Sequence, residues 1–303
     1  MKENRTLQST FKSADTEEWF DIVFTRPLGY LWARFFQFFG IHPNVVTVIS
    51  IILGAAGGLL LAPRDIYINL LGILLIVWAN IYDSTDGQLA RMTGKKSRLG
   101  RVLDGFCGDV WFFCIYFAIC VRLTPVWGIW IWLFCAFAGF ICHGRQCKLA
   151  DYYRNIHLYF VGGKGKSELD NSVRLKEEFR NTKFSEQPIW KVFLYFYCGY
   201  TLSQEKMTPR FQQFYAEVSK RFGTEIPQEL RDEFRSLSLP LMKYANILTF
   251  NTRAAVLYVS VLADVPWMYP LIEVVVFNAL AFYMHHRHET ICRRLQHKGY
   301  SIN

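Results

Sequence analysis

The run Asp83-Ser84-Thr85-Asp86-Gly87-Gln88-Leu89-Ala90-Arg91 is followed, after eight intervening residues, by Gly100 and then Asp104. It sets three carboxylates and a guanidinium beside apolar stretches long enough to cross a bilayer. Ionisable groups at such a depth are costly unless paired, solvated or metal-bound, so a cluster of them marks a functional site. At about 100° per residue, Asp83, Asp86, Gly87, Ala90 and Arg91 share one helix face. Gly87 and Ala90 leave the backbone open to close approach by a base or a pyrophosphate. Gly100 and Asp104 stack one turn apart on the next helix in the same way. Carboxylates from two facing helices form an oxygen-rich site suited to Mg²⁺ or Mn²⁺. Such an ion neutralises a diphosphate and the charge that develops on its transfer.

The elements that must hold these residues follow from composition. The chain has 303 residues, 52% hydrophobic and 17% aromatic, with a formal net charge of +9. That is too apolar and aromatic for an ordinary soluble domain and reads as an all-α, multi-pass membrane protein. No basic run interleaves with aromatics as a base-stacking platform requires, so the excess Lys and Arg point to anionic lipid and exclude nucleic acid as partner. The eight cysteines fall mostly inside apolar runs without a C-x-x-C pair, as small core residues in a reducing setting. No short basic-then-apolar leader opens the chain, so the first span is expected to stay as an anchor.

Residues 17–40 alternate aromatic and charged positions at helical spacing, as an interfacial amphipathic helix does, and close an N-terminal segment of residues 1–40. Spans one to four are expected at 44–61, 67–79, 99–122 and 126–141, within a segment 41–151 that carries the motif. Residues 152–243 mix charges of both signs with helix breakers and read as a polar helical insertion. Its apolar stretch 189–200 is short for a span and suits resting on the membrane. Spans five and six follow at 246–262 and 269–283, within 244–303, ending in a basic tail. The basic loop between spans two and three, the basic insertion and the tail put both termini and the motif on the cytoplasmic side.

The pattern Asp-x-x-Asp-Gly-x-x-Ala-Arg, eight residues, Gly, three residues, Asp resembles the signature of the CDP-alcohol phosphotransferases, integral membrane enzymes of phospholipid synthesis. Pro43-Asn44-x-x-Thr47 ahead of span one resembles the family as well. The resemblance implies a six-helix transmembrane bundle, usually a homodimer, that moves a substituted phosphate from a CDP-linked donor to an alcohol and releases CMP. It implies Asp83, Asp86 and Asp104 as metal ligands and Gly87, Ala90, Arg91 and Gly100 as the nucleotide pocket. One position departs from the pattern. The fourth Asp, metal ligand and base, is replaced by Gly108, and the next residue is Asp109. An ideal helix turns Asp109 about 100° from the Gly108 direction. Gly105 and Gly108 flank this turn and would tolerate a π-bulge that returns Asp109 to the site as displaced base and ligand.

The acceptor is left open by the motif. Arg145 and Lys148 at the end of span four and Arg253 near the start of span five are expected to bind it, as cations converging on a phosphorylated or polyhydroxylated headgroup. Glu273 and Asn278 are expected to hydrogen-bond between helices, and His285-His286-Arg287-His288 to form a cationic flank. The leading expectation is phosphatidyl transfer from CDP-diacylglycerol to inositol or inositol phosphate. The alternatives are transfer of a choline or ethanolamine headgroup from its CDP form to diacylglycerol or ceramide, and an inactive relative or carrier.

Overall fold

The computed structural model describes residues 15–298 apart from 96, 164–166 and 224, and among them there are helices and no strands. They divide into two units. The first runs to His143 and includes Arg253–Val274; the second comprises Gly144–Thr252 and the residues from Val275 on.

In the first unit a π-helical turn, Asp21–Thr25, leads into α1 (Arg26–Phe38). Then come α2 (Pro43–Leu59), α3 (Ile66–Thr93), α4 (Arg98–Trp127) and α5 (Trp130–Ala136), followed by a second π turn, Phe137–His143. Local chemistry fixes the ends. Asp65 caps α3 by accepting from the Tyr67 and Ile68 amides at 2.9 Å each. Gly94 ends α3 in the left-handed region (φ 70°), and Ser97 caps α4 by accepting from Gly100 N at 2.9 Å. The connection is so short that the motif end of α3 and the start of α4 form one hairpin. Helix α2 packs on α3 and α4, and α1 on α3. Ser50 of α2 joins all three, donating to Ala79 O at 2.8 Å and accepting from the Trp111 indole at its carbonyl at 3.1 Å. At the far end Arg122 donates to Leu61 O, Asn69 Oδ1 and Asp264 Oδ1 at 3.1, 2.9 and 2.7 Å.

The second unit contains α6 (Gly144–Gly162), α7 (Ser172–Asn181), α8 (Pro188–Met207), α9 (Pro209–Phe222), α10 (Gln228–Ile247) and, beyond residue 274, α13 (Asn278–His297). Helix α6 packs on α10, α7 on α8, and α13 on α9 and α10. Its core is aromatic, with Phe160, Phe214 and Phe234 stacked. Helices α11 (Phe250–Leu262) and α12 (Met268–Ile272) belong mainly or wholly to the first unit.

Among the described residues four helices are long and apolar enough to cross a membrane, Ile66–Thr93, Arg98–Trp127, Gln228–Leu262 and Met268–His297. Expected spans two, three, five and six lie on them. Span one is an apolar helix of 17 residues, about 25 Å at the α-helical rise against a hydrocarbon core of about 30 Å. Expected span four is interrupted. Residues 126–127 finish α4, Gly128 breaks the chain at φ 57°, and the remainder divides between α5 and a π turn. The expected interfacial helix is present as a helix, with Trp19, Leu31 and Phe38 exposed on one side and Ala33 and Phe36 buried on the other.

Two local expectations change. Helix α4 is α-helical through Gly105–Asp109 with no π turn; the π turns fall at Asp21–Thr25, Phe137–His143 and Glu273–Phe277. The histidine tail is not a uniform cationic flank. His288 is buried, its ring stacked 4.0 Å from Tyr153, and His285 Nδ1 lies 2.7 Å from the Tyr153 hydroxyl. The cysteines behave as core residues: six of the eight are buried and none is bridged.

Candidate active site

The carboxylates meet at the hairpin end of the first unit. Asp86 is buried, and Thr47 of α2 donates its hydroxyl to Asp86 Oδ2. Asp83, one turn earlier, is within electrostatic reach of Asp104 on α4, and Asp86 within reach of both. The Cys107 thiol hydrogen-bonds the Asp83 carboxylate and lies 3.7 Å from Ser50 Oγ. Asp83 Oδ1 is buried with no hydrogen-bond partner. A buried, orphaned carboxylate oxygen facing two further carboxylates is a donor set for a hard cation in chemistry and charge. Among the described residues no three His, Cys, Asp or Glu are gathered tightly enough to hold an ion by themselves.

The small residues are accounted for differently. The Arg91 guanidinium lies against Gly87, where an added Cβ would stand 3.4 Å from a terminal nitrogen. Gly100 is needed for packing, because a Cβ there would come within 2.9 Å of Asn44 Oδ1 and 3.1 Å of Ser97 Oγ. Ala90 is half-buried on the same face of α3. Gly105 and Gly108 face open space, so position 108 has room for a side chain. In the regular helix the inward place after Asp104 is taken by buried Cys107, while Asp109 is exposed. Asp109 thus leaves α4 on a different side from Cys107.

The cations expected to bind an acceptor differ in their surroundings within their own units. Arg253 is fully buried, and its guanidinium donates to both oxygens of Glu273, whose side chain is also fully buried. His143 Nδ1 lies 3.0 Å from the same Arg253 nitrogen. The charge expected to meet an acceptor is met by a carboxylate of the chain itself. Arg145 and Lys148 belong to the second unit. Arg145 is exposed, and Lys148 Nζ stands 5.7 Å from the centre of the Tyr200 ring. Asn278 accepts from Gln146 at 2.8 Å, so both polar residues of expected span six join helices.

Three contributors had no place among the expected site residues: Thr47, Asn44 and Cys107. Asn44 and Thr47 sit one turn apart at the start of α2, a spacing that puts both on the side facing the hairpin.

Residues 40–162, less than half of the chain, match the family model described as CDP-alcohol phosphatidyltransferase. The matched span contains α2, α3, α4 and every carboxylate of the site. The family transfers a phosphatidyl group or a phosphate-linked headgroup from a CDP-alcohol and is generally dependent on a divalent metal. No curated protein matches the chain.

Proposed function

We propose that the protein transfers a phosphatidyl group from CDP-diacylglycerol to a polar alcohol such as inositol or inositol phosphate, with release of CMP. The observation that carries the phosphotransfer is the orphaned Asp83 oxygen set among Asp86 and Asp104 in an apolar unit. A divalent ion, Mg²⁺ or Mn²⁺, supplies charge neutralisation at the diphosphate when bound, held by Asp83, Asp86 and Asp104. Arg91, folded over Gly87, holds the anionic donor, with Ala90 and Gly100 shaping the nucleotide side. The acceptor hydroxyl oxygen forms the new bond to phosphorus, the bridging P–O bond breaks, and CMP departs with that electron pair. The hydroxyl proton goes to Asp109, the acid beside the family's fourth-Asp position. In a regular α4 this requires the acceptor to approach on the side where Asp109 emerges. Arg145 and Lys148 are the cations assigned to the acceptor. We place both termini and the site on the cytoplasmic face, α1 in the interface, six spans in the bilayer, and the chain in a homodimer.

One observation favours a second reading. Glu273 already neutralises Arg253, which removes a cation from any anionic-acceptor site and leaves room for headgroup transfer from CDP-choline or CDP-ethanolamine to diacylglycerol or ceramide. The test is CMP release by purified protein in nanodiscs with Mg²⁺ or Mn²⁺. One arm offers CDP-diacylglycerol with a panel of alcohols; the other offers CDP-choline or CDP-ethanolamine with diacylglycerol and ceramide. Release that depends on inositol or its phosphate supports the first reading, and release only in the other arm replaces it with the second. No release from folded protein in either arm favours the inactive relative or carrier.

A further inference from the structure

We propose that Arg26, which lies outside the family-matched span, is a donor-binding residue of the carboxylate site. With Arg91 it holds the anionic phosphates of the CDP-linked donor, and Glu17 is the counter-ion it exchanges for them. The inference rests on the transfer reading above and names a residue that the motif does not contain.

The first turn of α1 is fastened to the motif helix. Gln88, buried at one of the unspecified positions of the motif, donates from Nε2 to Arg26 O at 3.1 Å and contacts Ser84 Oγ at 3.2 Å. A Cβ on Gly29 would stand 2.7 Å from that same Nε2 and 3.1 Å from Ser84 Oγ, so a glycine is what lets α1 lie this close. The backbone of Arg26 is therefore held against α3 between Asp83 and Arg91. Its side chain is clamped as a fork: Nε and one terminal nitrogen donate to the two oxygens of Glu17 at 3.2 and 3.0 Å. The Glu17 side chain is only 6% exposed and that of Arg26 19%. The charge of Arg26 acts on Asp83 and on Arg91, and Glu17 acts on Arg91 as well.

Two guanidiniums and one carboxylate thus share a partly buried corner beside the acids. Like charges held this close in a low-dielectric place favour an anion between them. A guanidinium fork that accommodates a carboxylate accommodates two phosphate oxygens in the same plane, which a lysine does not reproduce. Exchange of Glu17 for a diphosphate leaves the α1 backbone where Gln88 holds it and moves only side chains.

The test is equilibrium binding of CDP and of cytidine to the full chain in nanodiscs with Mg²⁺, with unfolding midpoints recorded for each variant. Wild type is expected to bind CDP well above cytidine. Arg26→Ala is expected to weaken CDP by about tenfold or more, the scale of one hydrogen bond to a charged group, and to leave cytidine unchanged. Arg26→Lys is expected to fall between the two, and carries the test if the alanine variant does not fold. Glu17→Gln is expected to tighten CDP by about threefold, as for release from a part-exposed ion pair. A folded Arg26→Ala or Arg26→Lys protein that binds CDP as wild type does, or loses cytidine in equal measure, overturns the inference while wild-type CDP binding preserves the transfer reading. Failure of wild type to bind CDP overturns the transfer reading and this inference with it.

Discussion

The first unit contains two clusters of ionisable groups, one fully buried at Arg253 and Glu273 and one that runs from buried Asp86 to exposed Asp104. Arg253, Glu273 and His143 form a closed set in which the buried cation is answered by a buried carboxylate. Asp83, Asp86 and Asp104 form a set of like charges, with one buried oxygen left without a hydrogen bond. The two differ both in burial and in the balance of charge inside the cluster. The closed set holds helices together. The acid set has Arg26 and Arg91 within electrostatic reach.

The difference has a large expected effect. Asp104→Asn and Asp83→Asn should each lower CMP release by about 10²–10³-fold, as for loss of a group that stabilises transition-state charge. Their unfolding midpoints should not fall, because each substitution relieves repulsion. A midpoint that dropped along with activity would place the acids among the structural groups. Glu273→Gln should behave in the opposite sense. It leaves Arg253 buried without its charge partner and should cost about 3–5 kcal/mol in denaturant unfolding. The paired replacement Arg253→Met with Glu273→Leu should recover most of that loss, and the folded protein should still release CMP. Loss of turnover at unchanged stability in the paired variant would return Arg253 to the acceptor.

A smaller effect concerns the base. Asp109→Asn should slow CMP release by about 10²-fold, within the range for a general base. Gly108→Asp, at a position with open space, should restore turnover in the Asp109→Asn background. Near-normal turnover in Asp109→Asn alone removes Asp109 from the mechanism. The smallest effect is at the far end of the unit. Arg122, hydrogen-bonded to Asp264, holds that carboxyl below the usual carboxylate range. A depressed folded-state value means that the contribution to stability is complete above the unfolded value of about 4. It is lost as pH falls through the lower, folded value. Asp264→Asn should therefore flatten the acid limb of an unfolding-midpoint profile and leave the neutral region almost unchanged.

How much of this could be seen in the residues alone depends on the range of the interaction. The carboxylate face was legible because helical period sets it locally, and Gly94 and Ser97 announce the hairpin that brings Asp104 back to Asp83. The Arg253–Glu273 pair was not legible. Its partners are joined by the reversal around Asp264, and only the packed helices decide which polar faces meet. Residues 17–40 contain the helical segment that their period suggested, but period says nothing about which neighbour receives the polar side, so Arg26 stood outside the expected site. The glycine pair flanking Asp109 made a π turn permissible without requiring one. The turns that did form, at Phe137–His143 and Glu273–Phe277, carry no comparable signal. Four of the six expected spans lie on helices long enough to cross a membrane; the other two fall on the 17-residue α2 and on the segment broken at Gly128, where hydropathy and helix length part company.

The hairpin of α3 and α4 has a mechanical consequence. Asp83, Asp86, Arg91 and Asp104 all lie within two helical arms joined by a turn of a few residues, with α2 wedged against both through Thr47 and Ser50. Bending elsewhere in the chain cannot change the spacing of the acids without first prying that hairpin open. The spacing of the acids thus depends on the turn at Gly94. Loosening that turn by insertion should lower activity before it unfolds the protein.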